Sequence, residues 1–401
     1  MSSEKQLGAL IGQARRDRKM SLAGLASQTY VSRGWINNVE AGRRWPGRAW
    51  LEQADDSLSA NGTLVAEWDR QERRRSTERD LRTILSQSAR ESELLISIQP
   101  DVFDIDELQQ SIADLSVAYL ASPAQPMLVQ GMALRKELTR RLTSGAVRPH
   151  EMADLYVALG RVSGVLAYAA VDLNSPDVAA IHARTAWQMA DAAGDNELRA
   201  WVRGTQSLIA RFSQQYGQAQ RFINDGLRYA GDGTSEIRLL CGAAQCAANL
   251  GDKDSALRFI EHADRARDNA KSDTIEGLFG FSLAKQAYYS GSSLMWLPDN
   301  HALLIAANSA ETAIDLWQRE SLDHRSLDDE ALAHVYLATA RLRLGEIAGA
   351  MEAVRPVINL PEDRQISWIR KRINNLASIL KVDKYHNSKA AAAARDELKT
   401  Y

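Results

Sequence analysis

The sequence predicts an all-α chain: a small four-helix module at the N-terminus, followed by an α-solenoid of helical hairpins. Three observations carry that expectation. Apolar residues recur at helical spacing along nearly the whole chain, and no stretch alternates as a strand would. Three segments superpose as repeats: "SLIARFSQQYGQA" ending at Ala219, "AAQCAANLGDKDSA" ending at Ala256 and "LATARLRLGEIAGA" ending at Ala350. Charge divides the chain as well. Residues 1–50 hold nine Lys/Arg against three Asp/Glu, so of a net charge of −2 over 401 residues the stretch 51–401 carries −8. A basic end on an acidic body suits a module that meets a polyanion.

Composition narrows the classes further. With 45% hydrophobic residues, 401 positions are enough for two or three domains with real cores. Cys241 and Cys246 lie five apart on different faces of a helix, which suits neither a redox CxxC pair nor a zinc half-site and fits a reducing cytoplasm. The longest apolar run, "VSGVLAYAAV" at Val162–Val171, stops at Asp172, well short of the roughly 20 residues a bilayer span needs, so no membrane insertion is expected.

The first helix is read from Leu7, Leu10, Ile11 and Ala14, followed by the basic "RRDRK". Ser21 caps a second helix carrying Leu22, Leu25 and Ala26. A three-residue turn reaches Val31. Ser32 caps a third helix whose Ile36 and Val39 turn inward, while Arg33, Gly34, Asn37 and Asn38 share the opposite, slim and polar side. Gly42 ends that helix. Pro46 precedes a fourth, closed by Trp50, Leu51, Ala54 and Leu58. A helix with a slim polar face, entered by a tight turn from another helix, has the shape that fits a DNA major groove.

In the segment "SLAGLASQTYVSRGWINNVEAGRRWPG", residues Ser21, Leu25, Ala26, Val31, Ser32, Ile36, Glu40, Gly42 and Pro46 stand where the XRE family of phage-repressor-like regulators has its signature. The stretch resembles the helix-turn-helix of that family. It is similar in particular to actinobacterial members with a tryptophan in the recognition helix and a long helical C-terminal half. The resemblance covers residues 6–70 strongly and implies base reading by Arg33, Gly34, Asn37 and Asn38. Chemistry agrees: Arg grips guanine O6 and N7, Asn pairs with adenine, and Gly34 leaves room for close approach. Ser32, Arg43, Arg44 and Arg48 are expected on phosphates, fixing register without reading sequence. The family often has Gln where this chain has Leu22, so that contact is absent or replaced. Trp35 stands open between the DNA backbone and the core.

Beyond Asp69, "RQERRRSTERDLRTILSQSARESE" is charged on nearly every face, with a thin apolar line at Leu81, Ile84 and Leu85, and reads as a connector. After Pro100 helical patterns follow one another. In the three repeats a small residue (Ser207, Ala244, Ala338) precedes the final alanine by twelve, and Gly251 and Gly345 mark turns five before it. The spacings of 37 and 94 fit hairpins of roughly 34 to 47 residues with one insertion. The pattern loosely resembles tetratricopeptide repeats, lacking their full set of aromatics and proline. About five hairpins are expected from His150, preceded by helices from Asp101 and capped by "SWIRKRINNLASILK". Boundaries follow: 1–70 for the DNA-binding module, 71–100 for the connector, 101–384 for the solenoid, which also serves dimerisation, and 385–401 for a flexible tail.

Placing side chains on the inner surface of such repeats selects Trp201, Arg211, Phe212, Arg238, Gln245, Asn249, Thr339 and Arg343 as ligand contacts, because arginines and amides there can hold a peptide backbone or carboxylate. The architecture resembles the quorum-sensing, RRNPP-type peptide regulators. That resemblance implies a homodimer on an inverted-repeat operator of double-stranded DNA, sensing a peptide or small-molecule effector; a DNA-anchored scaffold that recruits another protein is the competing reading. The dimer contacts lie in the connector at Leu81–Leu85 or in the C-terminal repeats. No phosphate loop, nucleophile elbow, HExxH or dinucleotide fingerprint occurs and the seven histidines are scattered, so no enzyme, cofactor or metal is expected.

Overall fold

The computed structural model describes residues 3–94, 105–143, 151–273, 275–322, 324–361, 364–382, 385 and 388–398. The expected boundaries at Pro100 and Lys384, and the hairpin start near His150, lie outside them. Among the described residues there are nineteen helices and no strand. The chain divides into two compact units, Met1–Ile84 and Leu85–Tyr401.

In the first unit, α1 (Ser3–Asp17), α2 (Leu22–Gln28), α3 (Arg33–Glu40) and α4 (Arg48–Leu58) surround a core of Leu7, Ile11, Leu25, Ile36, Val39, Leu51, Ala54 and Leu58. The Ser21 hydroxyl accepts from the Gly24 amide and the Ser32 hydroxyl from the Trp35 amide, so each cap satisfies a donor that its helix leaves open. Leu10, one of the apolar residues from which the first helix is read, is exposed. Helix α5 (Thr63–Leu94) begins inside the first unit. Asp55, buried on α4, caps it at a distance by accepting from the amides of Gly62 (2.7 Å), Leu64 (2.8 Å) and Val65 (3.3 Å). Leu64 then joins the first core.

The second unit starts with the last turns of α5. There a buried polar cluster ties three helices: Ser88 and Ser92 meet His182 at 2.8 and 2.5 Å, and Arg135 donates to the Ser88 carbonyl at 2.7 Å. Burial and the neighbouring Arg135 hold the His182 pKa well below its ordinary value, so the ring is neutral. After α6 (Ile105–Ala121) and α7 (Ala124–Thr143) come five hairpins: α8 (Met152–Asp172) with α9 (Pro176–Ala193), α10 (Asn196–Phe212) with α11 (Tyr216–Gly226), α12 (Ser235–Asn249) with α13 (Lys253–Asn269), α14 (Leu283–Leu294) with α15 (Asn300–Gln318), and α16 (Leu327–Leu344) with α17 (Ile347–Ile358). The first helix of each hairpin packs on the first helix of the next. The repeat alanines and their partners, Ser207, Ala219, Ala244, Ala256, Ala338 and Ala350, are all buried where the paired helices touch.

Helix α8 is long and apolar enough to cross a membrane by composition alone, beyond the shorter run read from the sequence, but 72% of that window is buried inside the unit as a core helix. Residues 389–398, expected in a flexible tail, form α19 (Lys389–Leu398), whose Ala391, Ala394 and Leu398 face the core and pack on α17 and on α18 (Ser367–Ile379). Helices α6 and α18 each touch both α8 and α16, so the inner side of the hairpin succession is covered rather than open.

Candidate DNA-binding face and interior cavity

Helix α3 is fixed from below by Ile36 and Val39, both buried, and at its end by Glu40. The Arg15 guanidinium on α1 grips the Glu40 carboxylate through two bonds, at 2.6 and 2.8 Å, and its third nitrogen reaches the Met20 carbonyl at 2.8 Å. That carboxylate raises the Arg15 pKa. Gly8 permits the close crossing of α1 and α3, since a Cβ there would lie 2.3 Å from the Val39 carbonyl oxygen. The helix is thereby held as a rigid edge. Its outward side carries Arg33, Gly34 and Asn37, all exposed, and a Cβ on Gly34 would meet only the Ser32 hydroxyl, at 4.0 Å.

Asn38 is half-buried and its Oδ1 accepts from Arg43 Nε at 2.9 Å, which ties a proposed base reader to a proposed phosphate contact. Trp35 packs edge-on against Trp50, centroids 4.5 Å apart, and the Arg44 guanidinium lies over it at 5.5 Å. The tryptophan therefore borders the core and carries an arginine on its outer side. Arg48 is held by Glu52 (2.9 Å) and Asp69 (2.5 Å), so its charge is already countered within the unit, while Ser32 stands exposed at the cap. Sequence reasoning passed over the Arg15–Glu40 pair and Tyr30, an 89% exposed aromatic at φ +54° in the turn before α3. The signal for Tyr30 was an aromatic at a turn position; for the pair, opposite charges 25 residues apart gave none.

In the second unit the eight residues selected for the groove separate. Trp201 is buried beside Phe279 (4.6 Å) and Tyr168 (5.7 Å). Arg238 is buried over the Trp201 ring at 4.7 Å and donates to the Trp201 carbonyl (2.5 Å), the Tyr168 hydroxyl (2.7 Å) and Thr205 Oγ1 (3.0 Å). Arg211 lies buried by the Tyr289 ring, and its Nε has no hydrogen-bond partner. Phe212 meets Trp368 edge-on at 4.6 Å. Gln245 donates to Ser292, and Asn249 accepts from the Tyr216 hydroxyl at 2.9 Å. Thr339 bonds its own helix at Val335, and Arg343 donates to the Met295 carbonyl.

Of these, Arg238 and Gln245 line one partly open cavity of about 80 Å³. Its wall is aromatic and charged, with Tyr168, Tyr288, Tyr289, Tyr336 and Trp368 beside Lys285, Arg372, Asp172, Asp328 and Asp329. Asp172 accepts from the Tyr119 hydroxyl at 2.5 Å, Asp329 from Ser326 at 2.8 Å, and Asp328 pairs with Arg364 at 3.0 Å. Burial raises the pKa of both Asp172 and Asp329 and lowers that of Lys285.

Residues 6–68 match the family model described as a helix-turn-helix domain. No curated protein matches the chain. Among solved structures, the chain is similar to Bacillus thuringiensis PlcR in complex with the peptide PapR7 and DNA, at 14% identity and TM-score 0.33, covering 66% of this chain and 95% of that one. It is similar also to yeast Tom70, at 14% identity and TM-score 0.31, covering 97% of this chain and 90% of that one. The domain match falls on the unit that presents α3: the chain carries an N-terminal helix-turn-helix domain followed by a succession of helical hairpins.

Proposed function

We propose that the chain acts in the cytoplasm as a sequence-specific transcription regulator, binding an inverted-repeat operator as a homodimer and answering a signal held by its hairpin unit. The observation that carries this reading is the rigid outward side of α3, where Arg33, Gly34, Asn37 and Asn38 stand together above a locked core. Arg33, Asn37 and Asn38 read base edges, and Gly34 leaves room for their close approach. Asn38 and Arg43 act as a bonded pair, while Ser32, Trp35, Arg44 and Arg48 border the backbone. One recognition helix spans only half a site, and a two-fold partner supplies the other half.

The test is genome-wide mapping of bound DNA followed by binding to the recovered site. Arg33→Ala and Asn38→Ala are each expected to lose ~1–3 kcal/mol of discrimination between that site and unrelated DNA. Arg44→Ala is expected to weaken all DNA alike and to lower the salt slope by about one. Discrimination unchanged in both of the first two variants overturns the base-reading assignment. A bound-DNA map with no common sequence overturns specificity altogether.

A further inference from the structure

We infer that the interior cavity of the hairpin unit is a binding site for a small aromatic carboxylate, which deepens the reading of this unit as the sensor and rests on it for the effect on DNA. The first ground is charge. Arg238, Lys285 and Arg372 all border the cavity, and among the described residues none of the three makes a salt bridge with a carboxylate, Lys285 feeling Asp329, Asp273 and Glu320 only at longer range. Arg238 spends its donors on a carbonyl and two hydroxyls, and Lys285 on the carbonyls of Gly277 (3.1 Å) and Gly280 (3.2 Å). The acids of the wall are engaged otherwise: Asp328 belongs to Arg364, and Asp172 and Asp329 are bonded to hydroxyls in surroundings that favour their neutral form. Cations buried without a counter-charge are costly unless something compensates them, and an anion entering the cavity does so.

The second ground is a donor left open. Arg372 Nε is buried and has no hydrogen-bond partner, although its guanidinium lies among the rings of Trp296 (4.9 Å), Trp368 (5.3 Å) and Tyr336 (5.9 Å). Stacking on rings orients a guanidinium; the Tyr336 hydroxyl takes one of the Arg372 N–H groups and Nε is left for an acceptor such as a carboxylate oxygen. The third ground is shape and lining. Tyr168, Tyr288 and Trp368 give the cavity flat aromatic walls, which suit a planar ring, and tyrosine hydroxyls supply further donors for polar substituents. Helices α6 and α18 cover this side of the hairpins, so a small molecule fits the site and a long extended peptide does not.

The experiment is calorimetric titration of the full-length protein with indole-3-acetate, 4-hydroxybenzoate and salicylate, each beside its uncharged primary amide. At least one carboxylate is expected to bind, its amide at least tenfold more weakly. Arg372→Gln is expected to weaken that carboxylate tenfold or more while leaving the amide unchanged. Should Arg372→Gln fail to fold, Arg372→Lys keeps the charge and removes the Nε donor; it is expected to retain a preference for carboxylate over amide with reduced affinity. Binding by none of the three acids, an amide that binds as tightly as its acid, or Arg372 variants that bind the acid like wild type each overturn the assignment. Retention of genomic DNA fragments, measured on the same preparation without ligand, separates the two readings: intact DNA binding with a silent titration strikes the cavity alone, and lost DNA binding strikes the regulator.

Discussion

Glu40 is the residue through which α3, the helix proposed to read DNA, is fixed to its scaffold, and replacing it with alanine tests that construction directly. The pair it forms with Arg15 has two bonds, at 2.6 and 2.8 Å, and the side chains are 12% and 13% exposed. It falls between two regimes. Exposed pairs are worth up to ~1 kcal/mol, whereas removing one partner of a fully buried pair costs ~3–5 kcal/mol because the other charge is left uncompensated. At this exposure Glu40→Ala is expected to cost ~2–4 kcal/mol, since Arg15 retains only its bond to the Met20 carbonyl. The carboxylate also lies close against α1: a Cβ on Gly12 would be 3.0 Å from Glu40 Oε2. Hydrogen exchange of α1–α3 in the full chain reads the effect as faster opening by a factor of roughly 30 to 1000. Arg15→Ala and the double variant complete a cycle in which the coupling is expected near ~2 kcal/mol. DNA affinity is expected to fall for specific and unrelated sites together, because the whole face is displaced. Coupling below ~0.5 kcal/mol, or unchanged protection of α3 in Glu40→Ala, refutes the idea that this pair sets the helix.

Gly42 has φ +66°, and a Cβ there would meet the Lys5 backbone at 2.7 Å, so Gly42→Ala is expected to lower the stability of the first unit by ~2–4 kcal/mol in urea unfolding, through left-handed strain plus displacement of α1. Asp55→Ala removes the remote cap of α5 and is expected to cost ~1–2 kcal/mol in the same assay, with Asp55→Asn recovering only part of it, since its single carbonyl oxygen replaces either the Gly62 or the Leu64 and Val65 acceptor but not both. His182 is neutral in the fold and has its pKa lowered there, so the unfolded chain binds the extra proton first: its contribution is fully present above the ordinary histidine pKa and is lost as pH falls below it. Urea midpoints followed on α5, α7 and α9 by hydrogen exchange are expected to drop between about pH 7 and pH 5 in wild type, and to drop less in His182→Gln.

The hairpin repeat shows how far local signals reach. The sequence marked three units through a small residue twelve before an alanine and two glycines at the turn. In the structure Gly251 and Gly345 have φ of +82° and +102°, and the same left-handed step is taken by Gln214 (φ +59°) in the first of those units. Asn174, at φ +59°, does the same between α8 and α9, with Ala167 and Ala179 buried at the corresponding places. That unit was hidden because asparagine and glutamine adopt at some cost a conformation that glycine adopts freely, so no glycine search finds them. The helix-turn-helix was legible because its caps, turn and inward residues all lie within about thirty consecutive positions, where chain geometry alone relates them.

What the sequence alone determined, then, were the properties that depend on near neighbours: all-helical structure, the caps at Ser21 and Ser32, the outward set on α3 and the small residues where helices pair. Tertiary structure decided what depends on residues brought together from far along the chain. Arg15 finds Glu40 across 25 positions and Arg364 reaches the Ala121 carbonyl across 243. The inner side of the hairpins, which repeat geometry alone presents as an open groove, is covered by α6 and α18, and Arg238 and Gln245 end in a partly open cavity while Asn249, Thr339 and Arg343 end elsewhere. The reason is physical: helical periodicity fixes which side of its own helix a residue occupies, but whether that side meets solvent, a ligand or another helix is set by packing between distant segments, which no local pattern encodes.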